Sequence, residues 1–495
     1  MHGEGYSAGE LKSPAEQSLT GEIKKSVPSK NIYSTKQPMK TFTLILFSLI
    51  LLAPVTGMPQ GNNLDTGQTG YVPSEKNLEN REWFRNARFG MFIHWGISSV
   101  VGKEIGWALS GQDIDQYRAL ISRFNPQKFD AAGIVGLAKA AGMKYITFTT
   151  RHHDSFSMFS TRYSDWNIMN TPYGKDVLKQ LAEECRKQGI RLYCYYSLTD
   201  FYRADYCQGN VRKATGIQGE CDWEAYLQFM KNQLTEILTQ YGPIYGIWFD
   251  GHWDQVEKLP GGRTGNQKRA WRYDEIYRLI HELQPGCMIV NNHHLAVFPG
   301  EDYQTFERDL PGENTGGGYS ADAVIARDLP LESNDIIGKR WGYVEGDTIN
   351  RSTRELIHLL IKSAGRDANF LLNIGPTPEG EVREAHRDRL LAMGEWLKAY
   401  GETIYGTRGS KVKPGDWGVA VEKDRKIYLH IINPGALKDK TLTINEFHPR
   451  IRKAVRFETA EKITFSADRK NGNLRLILPH LSEDAIDQVV VLYVR

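Results

Sequence analysis

The chain has 495 residues, of which 40% are hydrophobic, 24% charged and 11% aromatic, the balance of an ordinary globular protein. That length is too great for one small core and fits a large domain with a smaller companion. A formal net charge of +3, without a long basic run, leaves no electrostatic footprint for nucleic acid.

Met39-Lys40 opens an apolar run from Phe42 to Ala53, which ends in Pro54 and small residues through Gly57. A positive start, a short apolar stretch and a small-residue exit form the pattern of a secretory signal peptide. The run is too short for a comfortable membrane span. Residues 39–57 are therefore expected to be a signal peptide, 1–38 a non-native upstream extension and 58–79 a linker. Export to the periplasm or the extracellular space is expected, without stable membrane insertion. None of the five cysteines has metal-site spacing. Cys207 and Cys221 flank a polar, Gly-containing loop and are candidates for a disulfide in an oxidising compartment.

From about 80 to 409 short apolar runs alternate with amphipathic stretches. Strands are expected at 91–95, 145–150, 191–197, 244–250 and 288–292, each apolar on nearly every residue, as in parallel strands buried on both faces. Helices are expected at 131–141, 176–189, 223–241, 273–284, 352–365 and 384–400; in the second of these Val177, Leu178, Leu181 and Cys185 share one face and Gly189 sits just past the end. The alternation predicts a (β/α)8-like TIM barrel, with a doubly wound sheet disfavoured because no Gly-rich phosphate loop follows the first strand. Over 410–495 the texture changes to short strands at 426–433, 451–457, 462–466, 473–478 and 488–494, separated by turns such as Asn-Pro-Gly and Asn-Gly. This predicts a C-terminal antiparallel β-sandwich domain.

Functional side chains of such a barrel sit at the C-terminal ends of its strands. The five ends read His94-Trp95-Gly96, Arg151-His152-His153-Asp154, Tyr195-Tyr196-Ser197, Trp248-Phe249-Asp250-Gly251 and Asn291-Asn292-His293-His294. A single such group would be a satisfied structural residue; five in succession point to one shared site. A metal is one candidate ligand, since His94, His152, His153 and Asp250 are competent donors. Against it, His152 and His153 would face opposite ways on a regular strand, and aromatic residues interleave the polar groups. Neutral imidazoles donating to hydroxyls beside Trp and Tyr faces suit a sugar, and neither metal nor cofactor is expected. Glycoside hydrolysis needs two carboxyl groups. Asp250 is the candidate nucleophile; Glu301, Asp302, Glu307, Asp309 and Glu313 all lie in the loop expected to supply the second.

Arg88-Phe-Gly-Met-Phe-Ile-His94-Trp-Gly resembles the opening strand of the family-29 glycoside hydrolases, the α-L-fucosidases. Thr149-Thr-Arg-His152-His153-Asp154-Ser-Phe, Tyr195-Tyr-Ser, Trp248-Phe-Asp250-Gly and Asn369-Phe-Leu-Leu-Asn373-Ile-Gly-Pro376 are similar to further landmarks in the same order, and the likeness runs from about 80 to 410. The resemblance implies a retaining exo-glycosidase that releases α-L-fucose from fucosylated oligosaccharides or glycoconjugates, with Asp250 as nucleophile. It selects Glu307 as acid/base, through Asp302-Tyr-Gln-Thr-Phe-Glu307. It also implies substrate contacts from His94, Trp95, His152, His153, Tyr195, Trp248, His293 and Trp341. Two departures stand out. Many members carry Asn-Asp-Arg where this chain has Asn291-Asn292-His293, so the arginine's contact is either missing or replaced by His293 or His294. Members also carry Asn-Glu-Trp where this chain has Ile105-Gly106-Trp107, with Glu104 nearby. Alternative readings are an α-L-galactosidase on the same scaffold and a fucose-binding protein without catalysis.

Overall fold

The computed structural model describes residues 70–259, 264–313 and 325–495. The expected extension (1–38) and signal peptide (39–57) lie outside the described residues, as does most of the expected linker. Eight parallel strands form one sheet: β1 (Phe89–Ile93), β2 (Tyr145–Arg151), β3 (Arg191–Ser197), β4 (Gly246–Asp250), β5 (Met288–Asn291), β6 (Gln304–Glu307), β7 (Leu331–Ile336) and β8 (Ala368–Ile374). Their order is β5-β4-β3-β2-β1-β8-β7-β6. Helices α1 (Glu75–Ala87), α2 (Ala131–Ala140), α3 (Val177–Gln188), α4 (Trp223–Gln240), α5 (Tyr273–Leu283), α6 (Thr353–Gly365) and α7 (Glu384–Tyr400) accompany them. α1 starts inside the stretch expected as linker, because Ser74 accepts from the Asn77 amide as its N-cap.

The strands are apolar throughout because each buries two faces. Phe92, Tyr145, Tyr193, Trp248, Val290, Tyr303 and Leu371 belong to one buried cluster inside the barrel. Phe89, Met91, Ile93, Ile146 and Phe148 belong to the cluster that packs the helices. Large and small residues alternate across the interior. A Cβ on Gly90 would fall 2.4 Å from the Tyr145 ring, and one on Gly246 would fall 2.2 Å from the Tyr193 ring.

β5 and β6 meet at the seam of the barrel, joined by residues 292–303 without a helix. There Asp302 donates its backbone N–H to the Ile289 carbonyl (2.7 Å), and its carboxylate accepts the Ile289 N–H (2.7 Å). Arg81 (2.5 Å), His281 (3.0 Å) and Tyr71 (3.1 Å) complete the shell of that buried carboxylate. Asp302 therefore closes the barrel and is unavailable for chemistry.

After β8 and α7 the chain forms two antiparallel sheets. The first contains β9 (Gly418–Lys423), β10 (Lys426–Ile431), β15 (Val489–Val494) and β12 (Ile451–Arg456) in that order, with residues 408–409 at its edge. The second contains β11 (Thr441–Ile444), β14 (Asn473–Ile477) and β13 (Thr464–Asp468). Leu429, Ile431 and Leu492 of the first sheet share a core with Leu442, Leu474 and Leu476 of the second. Val419, Val421, Tyr428 and Val491 turn the other way and join the barrel core. Val419 approaches so closely that a Cβ on Gly365, the last residue of α6, would lie 2.6 Å away. Cys207 and Cys221 are joined by a disulfide. No helix among the described residues is long and apolar enough to cross a membrane.

Candidate active site

A cavity of about 550 Å³ opens at the C-terminal ends of the strands. β1 delivers His94, β3 Tyr195, β4 Trp248 and Asp250, and β6 Glu307; His152 and His153 follow β2, and Asn292, His293 and His294 follow β5. Trp341 and Asn334 complete one wall. Trp107, Trp253 and the run Val256–Leu259 form the opposite one. Trp107 and Trp253 stack on each other (centroids 5.5 Å, 13°) and both meet His153 edge-on.

Asp250 Oδ2 accepts from the Tyr195 hydroxyl at 2.8 Å and lies 3.6 Å from His153 Nε2. Its Oδ1 is buried and has no hydrogen-bond partner among the described residues. Glu307 Oε2 accepts from the Asn292 amide at 2.7 Å and lies 3.6 Å from His294 Nε2. The Asn292 side chain also favours the charged form of Asp250, so one amide acts on both carboxyls. His294 holds its ring there from the left-handed backbone region (φ 62°), a strained conformation of the kind that collects at functional sites. Gly251 is required after Asp250: its φ is 96°, and a Cβ would strike Thr199 Oγ1 at 2.2 Å.

The two carboxyls titrate apart. Burial, then the negative field of Glu307, push Asp250 up to about 6, against the Tyr195 hydrogen bond that favours its charged form. Burial would raise Glu307 as well. The nearby His294 ring and the hydrogen bond from Asn292 outweigh it and leave Glu307 below its ordinary value. The pair thus holds a single proton between a low first step and a second step at about 6.

His94, His152 and His153 are neutral, and the tautomers of His94 and His153 follow from their neighbours. Burial lowers His94 to about 4 and His153 to about 3, and holds His152 well below its ordinary value. Asn373 gives its amide to the Trp341 carbonyl (2.6 Å), so its oxygen faces His94 Nδ1 at 2.6 Å and must accept a proton from it. Ser197 gives its hydroxyl proton to the Thr199 carbonyl (2.6 Å), so it too accepts from His153 Nδ1 at 2.6 Å. Both imidazoles therefore keep an unprotonated Nε2. Nε2 at these two positions is thus an acceptor, where the sequence suggested a donor to hydroxyls.

The structure brings His94, His152, His153, Tyr195, Trp248, Asp250, His293, Glu307 and Trp341 to one cavity and sends Trp95 elsewhere. Trp95 is buried, donates its indole N–H to the Thr377 carbonyl (2.9 Å) and stacks on Phe129. It lies one residue after His94 on a chain still close to extended, so it takes the opposite face and joins the helix-side core. His293 reaches the cavity wall, but its ring is spent: Nε2 meets both Glu301 oxygens at 3.1 Å and Nδ1 accepts the Leu295 N–H. His294 is the one that faces Glu307. His152 and His153 do not diverge as a regular strand would require; their rings lie 4.2 Å apart. A register irregularity after Thr149 and the end of β2 at Arg151 turn both inward. With Asp250 they present ligand atoms within 4.8 Å of one another, so the geometric objection to a cation falls.

The other departures also resolve. Glu104 accepts from the Trp341 and Gly342 amides (2.9 and 3.1 Å), so it fastens the Trp341 loop. A Cβ on Gly106 would lie 2.0 Å from His152 Nδ1, so no larger residue fits there. Trp107, Trp253, Asn334 and Asn292 are cavity residues that the sequence reading did not select. Trp107 and Trp253 carried a signal, as tryptophans in the loops after β1 and β4; Asn334 lay on an unrecognised strand.

A family model described as Alpha-L-fucosidase matches residues 60–402. The chain belongs to the α-L-fucosidase family. Tissue alpha-L-fucosidase of Bos taurus is 27% identical over 423 residues, covering 78% of this chain and 81% of the relative. The Homo sapiens tissue enzyme is 27% identical over 398 residues, covering 74% and 78%. Among solved structures, alpha-L-fucosidase isoenzyme 1 from Paenibacillus thiaminolyticus superposes with a TM-score of 0.72 at 27% identity, covering 85% of this chain and all of that one. An alpha-L-fucosidase of family GH29 from Bacteroides thetaiotaomicron shares the fold at a TM-score of 0.70 and 24% identity, covering 86% and 97%. This α-L-fucosidase family member is thus a glycoside hydrolase built on the TIM barrel and β-sandwich.

Proposed function

We propose that the chain is a retaining exo-α-L-fucosidase in which Asp250 is the nucleophile and Glu307 the acid/base. The observation that carries the assignment is that Asp250 and Glu307 line one cavity close enough for the charge of Glu307 to raise Asp250, with the Asn292 amide of the same lining donating to Glu307. Such proximity supports the close spacing of a retaining pair, about 5 Å, over the wider gap that admits a water in inverting enzymes. Asp250 attacks the anomeric carbon through its unpartnered Oδ1 while Glu307 protonates the leaving oxygen. Glu307 then deprotonates the water that releases the sugar. His94 and His153 accept hydroxyl protons through Nε2, and Trp248 and Trp341 give flat apolar contact. Trp107, Trp253 and the Val256–Leu259 run are the wall available to a leaving group. Fucosylated oligosaccharides or glycoconjugates are the substrate class, consistent with the names of the relatives. Export to the periplasm or outside the cell is supported by the Met39–Gly57 pattern and by the Cys207–Cys221 disulfide. The ranges 80–409 and 410–495 serve as catalytic barrel and structural companion.

The deciding experiment follows an aryl α-L-fucoside by proton NMR. The first sugar released is α-L-fucose, which then mutarotates; β-L-fucose appearing first would exclude double displacement. Absence of hydrolysis would overturn the substrate.

The pH dependence has a defined sign. The working form carries one proton on the pair, and substrate binding draws that proton onto Glu307. As pH rises through about 6 the pair loses its last proton, so kcat/KM falls about tenfold for each further pH unit. Tyr195→Phe removes a donor that favours the Asp250 carboxylate. In that variant the alkaline limb moves upward by roughly one pH unit, the worth of a hydrogen bond to a charged group. A limb that stays in place in the pH–rate profile would remove Tyr195 from control of the pair.

A further inference from the structure

Glu332 of β7 is a fully buried carboxyl inside the barrel, one layer beneath the catalytic residues. It does not reach the cavity. Its Oε2 accepts from the Tyr145 hydroxyl of β2 at 2.7 Å. Its Oε1 accepts from the Trp248 indole N–H of β4 at 3.0 Å and from the Thr305 hydroxyl of β6 at 3.2 Å. Trp248 stands two residues before Asp250, and Thr305 two residues before Glu307. Side chains two apart on a strand share a face. One carboxyl oxygen therefore fastens, at the same depth, the strand that carries each member of the catalytic pair. Asn334, which lines the cavity, adds a second tie by donating to Thr305 Oγ1 at 2.9 Å.

The surroundings make this a costly place for a carboxyl. Among the described residues Tyr145, Tyr193 and Tyr303 are the titratable groups that face it, and no cation pairs with it; burial pushes it up to about 7 despite the three hydrogen bonds. A barrel interior needing only to be filled would take an apolar residue here, as it does with Leu371 and Val290. What the carboxyl supplies and a leucine cannot is a fixed, directional acceptor for two strands at once.

We propose that Glu332 is a positioning residue, whose oxygens set Trp248 and Thr305 and through them hold Asp250 and Glu307 in register for double displacement. This rests on the assignment of that pair above. Misplacement by about 1 Å can cost on the order of 10²-fold in rate without removing any group that touches substrate.

The test compares wild type, Glu332→Ala and Glu332→Gln in aryl α-L-fucoside hydrolysis, L-fucose binding by calorimetry and thermal midpoint. Glu332→Ala is expected to lose about 10- to 100-fold in kcat with KM and the L-fucose Kd within roughly threefold. Glu332→Gln keeps an oxygen for the indole N–H and is expected to recover most of the loss. Should Glu332→Ala not fold, Glu332→Gln against Trp248→Phe and Thr305→Val carries the test: the last two should each reproduce part of a kcat-selective loss. A kcat within twofold of wild type in Glu332→Ala overturns the proposal. So does a parallel fall of kcat, L-fucose affinity and thermal midpoint, which marks a merely structural residue. If wild type itself fails to cleave the fucoside, the fucosidase reading falls. Positioning is then read from crystal structures of wild type and Glu332→Gln: shifted Trp248 and Thr305 side chains support it, and unchanged ones overturn it.

Discussion

Asp250→Ala is expected to cut turnover of an aryl α-L-fucoside by on the order of 10³-fold or more, and added azide to restore it. Loss alone would be weak evidence, because Asp250 also receives the Tyr195 hydroxyl, and its removal loosens that ring. Azide distinguishes the roles. It is small, anionic and nucleophilic, and it can stand where the carboxylate stood and attack the same face of the sugar. The product is then β-L-fucosyl azide, inverted relative to the substrate, because one displacement has replaced two. A residue that only bound a hydroxyl would leave nothing for azide to replace. Rescue without fucosyl azide, or recovery by formate of a hydroxyl contact alone, would move Asp250 out of the nucleophile's position. The wild-type carboxyl is suited to the role by two features of its setting: Oδ1 has no hydrogen-bond partner among the described residues, and His153 Nε2 faces Oδ2 as a second acceptor. Neither neutralises the attacking oxygen.

The same reasoning separates what could be read in the sequence from what could not. β1 to β5 were legible because burial on both faces makes each an unbroken apolar run, and turn chemistry brackets them. β6 and β7 were not, because they carry Gln304, Thr305, Glu307, Glu332, Ser333, Asn334 and Asp335. These are strands with polar interiors, and their local pattern reads as loop. The violation is itself the mark of function: Thr305, Glu332 and Asn334 hydrogen-bond one another, and Glu307 and Asn334 line the cavity. β9 and β11 were passed over for a plainer reason, being short and interrupted by glycine, lysine or threonine. At the site, residue types at strand ends were sufficient to gather His94, His152, His153, Tyr195, Trp248, Asp250 and His293, while Glu307 and Trp341 came from the family resemblance. Facing directions were not. Trp95 and the pair His152-His153 depend on where a strand stops being regular, and the donor or acceptor state of each imidazole depends on Asn373 and Ser197, which are remote in sequence. Among the five loop carboxylates, what excludes four is tertiary. Asp302 closes the seam, Glu301 holds His293, Glu313 pairs with Arg366, and Asp309 is buried but takes no part in the cavity wall.

That leaves Glu307, whose removal should produce a loss that depends on the leaving group. An aryl fucoside departs as a stabilised phenolate and needs little protonation; a sugar alkoxide needs a great deal. Glu307→Ala is therefore expected to lose about 10²- to 10⁴-fold on a fucosylated oligosaccharide and far less in the first step on the aryl substrate. On the aryl substrate the second step becomes slow instead, since no base remains to activate water, and a burst of phenol precedes a slow steady state. Azide, which needs no base, should release the trapped intermediate as α-L-fucosyl azide of retained configuration, opposite to the product from Asp250→Ala. The pair of variants thus gives two stereochemically different azides from one substrate, and no exchange of the two roles can reproduce that result. The alkaline limb provides an independent check. It arises because the last proton of the pair is lost near pH 6 and Glu307 then has none to give. In Glu307→Ala that requirement is gone, and so is the repulsion that helps raise Asp250. The limb should disappear from kcat/KM for the aryl fucoside, and an acid limb set by a less elevated Asp250 should become the only ionisation seen. Retention of the alkaline limb would place the acid/base on another residue, and His294, already 3.6 Å from Glu307, would be the group to replace next.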